Sequence, residues 1–295
     1  MALILALILW PAFSGLSRGQ ASVTLAGLVI LGVWLAELRK EWLAGLSLAG
    51  GIVLKIFPAL LLLYYLARRR WKMAATTTVW LVLLIGVVPS SVFGVQGNYR
   101  LLKQWVTTIA LPVNDPIPER RNPRFEQEMD PRIARNQSMR AVISRWSMGW
   151  DGQDRSHEAS AHRLSWAASL LLALVSTWAC WSRGGRAEKR ALLEICVVLL
   201  LLLLISPVTW VHNCCLLVLP LAIMLAGQPE ARTWRFGLIA FGIGTLLAIS
   251  VPLFLWLGFY MFGIFALWAA LACALIRDRA LENKARGAYP PSVPG

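Results

Sequence analysis

Acidic residues are scarce. Fifteen Asp and Glu stand against 29 Lys and Arg in 295 residues, and charged residues make up 15% of the chain, well below the roughly 25% of an ordinary globular protein. So little charge cannot cover the surface of a soluble fold of this size. The five cysteines (Cys180, Cys196, Cys214, Cys215 and Cys273) lie in or beside apolar stretches with no CxxC pair. That argues against a disulfide framework or a Cys-based metal site and reads them as small buried residues. There is no Walker loop, no GxGxxG turn and no clustered set of metal ligands. A nucleotide therefore finds no seat, and no cofactor or metal is implied.

What is present is hydrophobic. The chain is 58% apolar, with a mean hydropathy of +0.61, and its apolar residues come in blocks of membrane-crossing length. The blocks are residues 2–13, 21–36, 42–67, 73–93, 164–181, 191–205, 214–226, 236–257 and 259–276. The first reads as a partial membrane helix, since no small-residue cleavage site follows it. Fifteen Trp suit two water–lipid interfaces. The expected fold class is an all-α, polytopic integral membrane protein with about 8–9 membrane segments and one long non-cytoplasmic loop. It divides into N-terminal membrane helices (1–93), the loop (94–161), C-terminal membrane helices (162–276) and a basic cytoplasmic tail (277–295) within one membrane domain.

The net charge of +14 does not point to nucleic acid, because no basic stripe with interleaved aromatics appears. The cations gather instead in short connections: Arg68, Arg69, Arg70 and Lys72; Arg183, Arg186, Lys189 and Arg190; Arg232 and Arg235; Arg277, Arg279, Lys284 and Arg286. The positive-inside rule places those segments in the cytoplasm, in what composition suggests is a bacterial plasma membrane. The loop, with ten Lys/Arg and eight Asp/Glu, then faces outward with residues 206–213. The connection 37–41 (ELRKE) also carries Arg39 and Lys40. If it too is cytoplasmic, residues 42–67 enter and leave on one side. Gly50, Gly51 and Pro58 could break that block into two short helices lining a cavity, so both topologies stay open.

Three places carry polar chemistry in apolar surroundings. Lys55 sits mid-block, three residues before Pro58; a cation at that depth costs about 2.5–3.5 kcal/mol or more, which suits an internal cavity and a buried phosphate. Residues 206–213 (SPVTWVHN) interrupt two apolar blocks and bring Trp210 and His212 to a helix break. Asn136, Gln137, Arg140 and Arg145 end the loop (NQSMRAVISRW), where amides and guanidinium groups could grip a sugar and a phosphate; Asn136 to Ser138 also matches a glycosylation sequon. Each set has a plainer reading, as a paired core Lys, an interface Trp with a structural His, and a solvated loop face.

Taken in order, Gly19-Gln20, a helix, a short basic turn and AGLSLAGGIVLKIFPALLLLYYLARRRW (44–71), then NQSMRAVISRW (136–146) and SPVTWVHN (206–213), resemble glycosyltransferase family 87. That family comprises polytopic, polyprenol-phosphate-mannose-dependent mannosyltransferases of the GT-C superfamily, and the likeness runs from about Gly19 to Ile276. The resemblance implies a GT-C-like helical bundle around a cavity open to the non-cytoplasmic face. It implies a polyprenyl-phosphate sugar donor, a lipid or glycan acceptor and surrounding membrane lipids as partners, with mannose as the transferred hexose. Lys55, Arg140 and His212 would then serve the donor phosphate, and Asn136 and Gln137 would order the loop or touch sugar hydroxyls. It further implies an essential acid in the first outward loop. No Asp or Glu precedes Glu37, and Asp115, Asp130, Asp151 and Asp154 match no family position. The catalytic acid is therefore unassigned, and the chain reads as lacking the family's N-terminal portion, with its own transfer activity in question. Two rival readings stay open, a transporter or lipid-linked-sugar flippase and a non-catalytic membrane scaffold.

Overall fold

A computed structural model describes residues 2–112, 130–148, 157–181, 188–226 and 232–287. Every regular element among them is helical, and the one extended pairing is an isolated bridge between Asn136 and Trp210.

Short connections in the N-terminal part come from one device. Helices α1 (Ala2–Leu16), α2 (Ser22–Glu37) and α4 (Ala59–Ala67) end on left-handed residues, Gly19, Arg39 and Arg69, with φ of 64°, 59° and 55°. In each, the next amide reaches back to close the last turn: Gln20 to Gly15, Lys40 to Leu35 and Arg70 to Tyr65, all at 2.9 Å. Gly19 bears this conformation without steric cost, whereas Arg39 and Arg69 each carry about 1–2 kcal/mol of strain.

Residues 42–67 are not one helix. Helix α3 (Glu41–Leu54) stops at Lys55, whose backbone is extended at φ −152°, ψ 127°. Pro58, the N-cap of α4, has no amide to give the carbonyl of Leu54, so one continuous helix cannot run through it. Both ends of this broken pair return to one side. Arg70 Nη1 meets Glu37 Oε1 at 2.6 Å, and Arg70 Nη2 donates to the carbonyl of Ala36 at 2.5 Å. The α3–α4 unit is thus a hairpin with Lys55 at its tip, the arrangement in which residues 42–67 enter and leave on one side. Gly45 lets α3 press against α5 (Trp71–Leu81), since a Cβ there would stand 2.6 Å from Thr76 Oγ1 and 2.8 Å from its backbone.

From α5 a π-helical stretch (Val82–Val87) leads into α6 (Val88–Trp105) and a second one (Val106–Ala110), with a sharp break at Gly94. Helices α7 (Met139–Ser147) and α8 (Glu158–Cys180) follow. Residues 94–161, expected as a loop, thus hold considerable helix; the 93/94 boundary falls on the Gly94 break and the 161/162 boundary falls inside α8. The first turn of α8 carries Glu158 and Ser160, which sets its start ahead of the apolar block at 164.

Helix α9 (Glu188–Ile205) is the axis of the bundle: from Ile195 to Leu204 no residue is more than 7% exposed, as befits a helix apolar all round. A 3₁₀ segment (Val211–Leu217) runs into α10 (Val218–Ala226). Helix α11 (Arg232–Ser250), the short α12 (Pro252–Trp256) and α13 (Phe259–Gly287) complete the chain.

Four stretches are long and apolar enough to cross a membrane: Trp71–Ala110, Glu158–Cys180, Arg232–Ser250 and Phe259–Leu281. Ser22–Glu37, Glu41–Leu54 and Val211–Ala226 are apolar but shorter. The described chain is therefore an all-helical membrane bundle.

Arg68, Arg190 and Arg279 gather at one end. Glu194, fully buried, is held by Arg68 at 3.1 Å, by Arg190 at 3.3 Å and by the Tyr64 hydroxyl at 3.0 Å. Arg68 and Arg190 also donate to the carbonyls of Cys180 and Ala179, and Arg279 to that of Trp178. This basic end ties α4, α8, α9 and α13 together; the polar motifs gather at the other.

Candidate functional site

The site is built where two broken helices meet. Lys55, at the tip of the α3–α4 hairpin, donates from Nζ to Asn213 Oδ1 at 2.6 Å. Asn213 lies in the 3₁₀ segment that restarts the chain after α9, so residues 158 apart in sequence are joined. His212 is 5% exposed and, with Cys215, lies within electrostatic reach of Lys55. Its Nδ1 is buried without a hydrogen-bond partner among the described residues. An imidazole nitrogen left unpaired in an apolar bundle is costly, and a polar ligand would relieve it.

Trp210 forms the wall. Its indole stacks on the His212 ring with centroids 6.0 Å apart and planes 22° apart. The exposed Arg18, from the turn after α1, sets its guanidinium carbon 5.4 Å from the indole centroid, a cation–π contact. Helix α1 approaches closely, since a Cβ on Gly15 would stand 3.5 Å from His212 Cβ. Arg18, Lys55, Trp210, His212 and Asn213 thus make a polar, cationic nest in an otherwise apolar bundle. Among the described residues no ion pair offsets Lys55 or Arg18. Chemically this arrangement suits an anion and a polar ring: the cations face negative charge, and the indole offers a flat apolar surface.

The loop-end motif supports this nest. Gln137 N donates to the carbonyl of Thr209 at 2.7 Å and Val211 N to that of Arg135 at 3.2 Å. Asn136 Oδ1 accepts from the amides of Ser138 and Thr209, both at 3.2 Å. Ser138 Oγ donates to the Pro207 carbonyl at 3.1 Å and accepts from Ala141 N at 3.1 Å, capping α7. The two polar motifs are therefore zipped together, which fixes Trp210 and His212.

Gln137 and Arg145 carry the same stitching outward. Gln137 Nε2 donates to the carbonyls of Ala134 at 2.5 Å and Leu255 at 2.7 Å, and its Oε1 accepts from Met261 N at 3.2 Å. Arg145 is fully buried. Its Nε donates to the Trp256 carbonyl at 2.6 Å, and its Nη1 to those of Pro131, Ile133 and Asn136 at 3.0, 3.3 and 2.9 Å.

The seven residues singled out in the sequence therefore divide. Lys55, Trp210 and His212 share the nest, joined by Asn213. Asn136, Gln137 and Arg145 bond to backbone groups behind the nest, while Asn136 Nδ2 and Arg145 Nη2 are buried without a hydrogen-bond partner among the described residues. Arg140, half-buried, stands in the first turn of α7. Sequence reasoning missed Arg18, whose only signal is its place beside Gly19-Gln20, and did not single out Asn213 although it closes the SPVTWVHN motif.

The acids sort by end. Glu37 and Glu194 are paired at the basic end. Asp130 is clamped by Arg132, whose Nε and Nη2 approach its oxygens at 3.0 and 2.7 Å. Glu158, at the start of α8, is buried. Asp115, Asp151 and Asp154 lie outside the described residues.

Comparison with known proteins follows the same lines. The model of glycosyltransferase family 87 matches residues 1–207, a span that starts before and stops short of the Gly19 to Ile276 stretch suggested by the motifs. A polyprenol-phosphate-mannose-dependent alpha-(1-2)-phosphatidylinositol mannoside mannosyltransferase of Mycobacterium tuberculosis is 28% identical over 204 residues, which cover 69% of this chain and 40% of the relative. The chain thus spans about two-fifths of that relative's length. No solved structure matches the chain.

Proposed function

This chain belongs to glycosyltransferase family 87, and we propose that it serves transfer of a hexose, mannose in our reading, from a polyprenyl-phosphate donor to a lipid or glycan acceptor. The reaction takes place on the non-cytoplasmic face of a bacterial plasma membrane. The observation that carries this reading is the contact between Lys55 and Asn213. It puts an ammonium group, an imidazole and an indole at the meeting point of two helix breaks, opposite the basic end.

A charged group at that depth is tolerated where it lines a cavity or meets a partner, and broken helices are allowed where protein covers the backbone. A sugar phosphate on a polyprenyl tail fits both conditions: its phosphate meets Lys55 and Arg18, its ring lies against Trp210, and its tail stays in lipid. In the transfer step an acceptor hydroxyl oxygen attacks the anomeric carbon. The bond from that carbon to the phosphate oxygen breaks, and polyprenyl phosphate leaves with the electron pair. Lys55 and Arg18 stabilise the charge growing on the leaving phosphate, an electrostatic role worth the most in a water-poor site. The hydroxyl proton passes to a base; both carboxylate oxygens of Asp130 are already engaged by Arg132.

The test is direct. Membranes expressing the chain are given polyprenyl-phosphate-[¹⁴C]mannose, and both retained donor and label appearing in extractable lipid are measured. Donor retention that free mannose phosphate competes away supports the reading. Failure to bind the donor overturns it, and label that crosses the bilayer unchanged, without entering a new product, means a flippase.

A further inference from the structure

Residues 95–111 form a helix whose apolar face nothing in the described protein covers, and we propose that it lies in the membrane interface of the site-end leaflet, docked on phospholipid. This rests on the chain being a membrane protein and is independent of glycosyl transfer.

Gly94 sets the geometry of this region. Its φ of 70° and ψ of 160° break the helix there. Without that break, the 40 residues of Trp71–Ala110 would run about 60 Å, twice the hydrocarbon thickness. Residues 71–93 alone make about 35 Å, enough for one crossing from the basic end. The break is pinned from the far side. Pro89 has no amide to give the carbonyl of Ile85, and Asn98 supplies it: Nδ2 donates to Ile85 O at 3.0 Å, Gly86 O at 3.1 Å and Ser90 Oγ at 3.1 Å. Asn98 is the one buried residue of α6, and none is buried in the π-helical turn that follows.

Beyond the break the sequence is two-faced. Val95, Tyr99, Leu102 and Val106 recur at helical spacing on one side, with Trp105 at its edge, and all five are exposed. Gln96, Arg100, Lys103 and Thr107, each one residue further on and so about 100° round the helix, line the flank beside it. An uncovered apolar stripe beside a cationic one is the composition of a helix lying flat at a lipid surface. A second crossing is disfavoured, because Arg100 and Lys103 would enter the hydrocarbon at about 2.5–3.5 kcal/mol each, and the helix carries no acid to pair with them. Lying flat, the same cations meet lipid phosphates, and Tyr99 and Trp105 take the depth that aromatic belts favour. The helix is continuous with a membrane-crossing one, so its apolar face is delivered to the bilayer surface.

The experiment places single cysteines on the full chain in a Cys273→Ser background, Cys273 being the exposed native thiol. Leu102→Cys and Val106→Cys sample the apolar face, Gln104→Cys and Thr107→Cys the polar one, and Leu246→Cys is a lipid-facing control. Bimane-labelled protein in phosphatidylethanolamine–phosphatidylglycerol vesicles is quenched with dibrominated lipid or with iodide. The proposal expects bromolipid quenching at 102 and 106 about threefold or more above that at 104 and 107, with iodide giving the reverse order. Equal iodide quenching at all four positions overturns it in favour of a helix in water, and strong bromolipid quenching at all four in favour of a second crossing. Protection of 102 and 106 from both quenchers means that protein covers the face and also overturns it. Arg100→Glu with Lys103→Glu provides an independent check: iodide access at 102 rises in anionic vesicles and stays unchanged in phosphatidylcholine.

Discussion

Replacing Lys55 by Met separates a ligand-binding cation from a structural one, because the structure sets opposite expectations for stability and for donor binding. The side chain makes one hydrogen bond, to Asn213 at 2.6 Å. Losing a charged donor costs about 1.5–3 kcal/mol. Against this, the fold no longer holds an ammonium group among apolar helices, a burden of about 2.5–3.5 kcal/mol where the group is deep. The two nearly cancel, so Lys55→Met is expected to move Tm by no more than about 4 °C, the shift produced by roughly 1 kcal/mol in a chain of this size. Donor binding has no such compensation. A charge-assisted contact to phosphate worth about 1.5–3 kcal/mol translates into affinity weaker by about 10- to 100-fold. Thermal unfolding followed by intrinsic fluorescence in nanodiscs gives the first quantity, and titration with polyprenyl-phosphate-mannose gives the second. A variant that loses more than about 8 °C and binds donor as before would refute the reasoning, since Lys55 would then be a strut between two helix tips. Lys55→Arg keeps the charge and should recover most of the lost affinity.

Arg145→Met leaves four carbonyls without their donor and is expected to destabilise by about 3–5 kcal/mol, read as a large fall in Tm or in the yield of monodisperse protein; Arg145→Lys cannot reproduce the fork and should rescue little. Glu194→Gln removes the carboxylate shared by Arg68 and Arg190 and should cost about 3 kcal/mol or more in the same assay, while donor affinity measured on the folded fraction changes little. Gly45→Val drives a side chain into the Thr76 backbone and should abolish folding, whereas Gly27→Ala, where a Cβ meets nothing within 4 Å, should be silent in size-exclusion profiles.

The class of fold was legible because membrane insertion is written in composition. The blocks located most helices to within a few residues, and the two polar interruptions, at Lys55 and at 206–213, do meet. What hydropathy could not supply was the distinction between a block that crosses and one that turns back. The 42–67 block reads as uniformly apolar, and its division depends on Pro58 acting with a single ion pair, Arg70 to Glu37, made by residues from different connections. The buried Glu194 cluster was hidden for the same reason: its partners come from α4 and α9, and pairing between helices leaves no local pattern. Asn136, Gln137 and Arg145 show the converse limit. Their residue types suit ligand recognition, yet backbone carbonyls take donors of Gln137 and Arg145 and backbone amides take the Asn136 side-chain oxygen, and sequence alone does not say which claim prevails.

The α3–α4 hairpin also fixes how deep the proposed site lies. Helix α3 has 14 residues, so Lys55 stands about 21 Å along the bundle from the Glu37–Arg70 pair, some two-thirds of a 30 Å hydrocarbon layer. Helix α4, with nine residues, returns about 13–14 Å before Arg68 reaches Glu194, so neither arm spans the bilayer and both are tied at the basic end. A topological outcome follows that a single tilted helix cannot mimic. Arg39→Cys and Arg69→Cys, both at exposed turn positions, should react with an impermeant maleimide from the same face of sealed vesicles, and Arg18→Cys from the opposite face. One crossing between residues 42 and 67 would put positions 39 and 69 on different faces. Labelling of that kind would remove the argument that Lys55 sits at a tip, because a cation in mid-crossing needs a different account of its partner and of the route by which a phosphate reaches it.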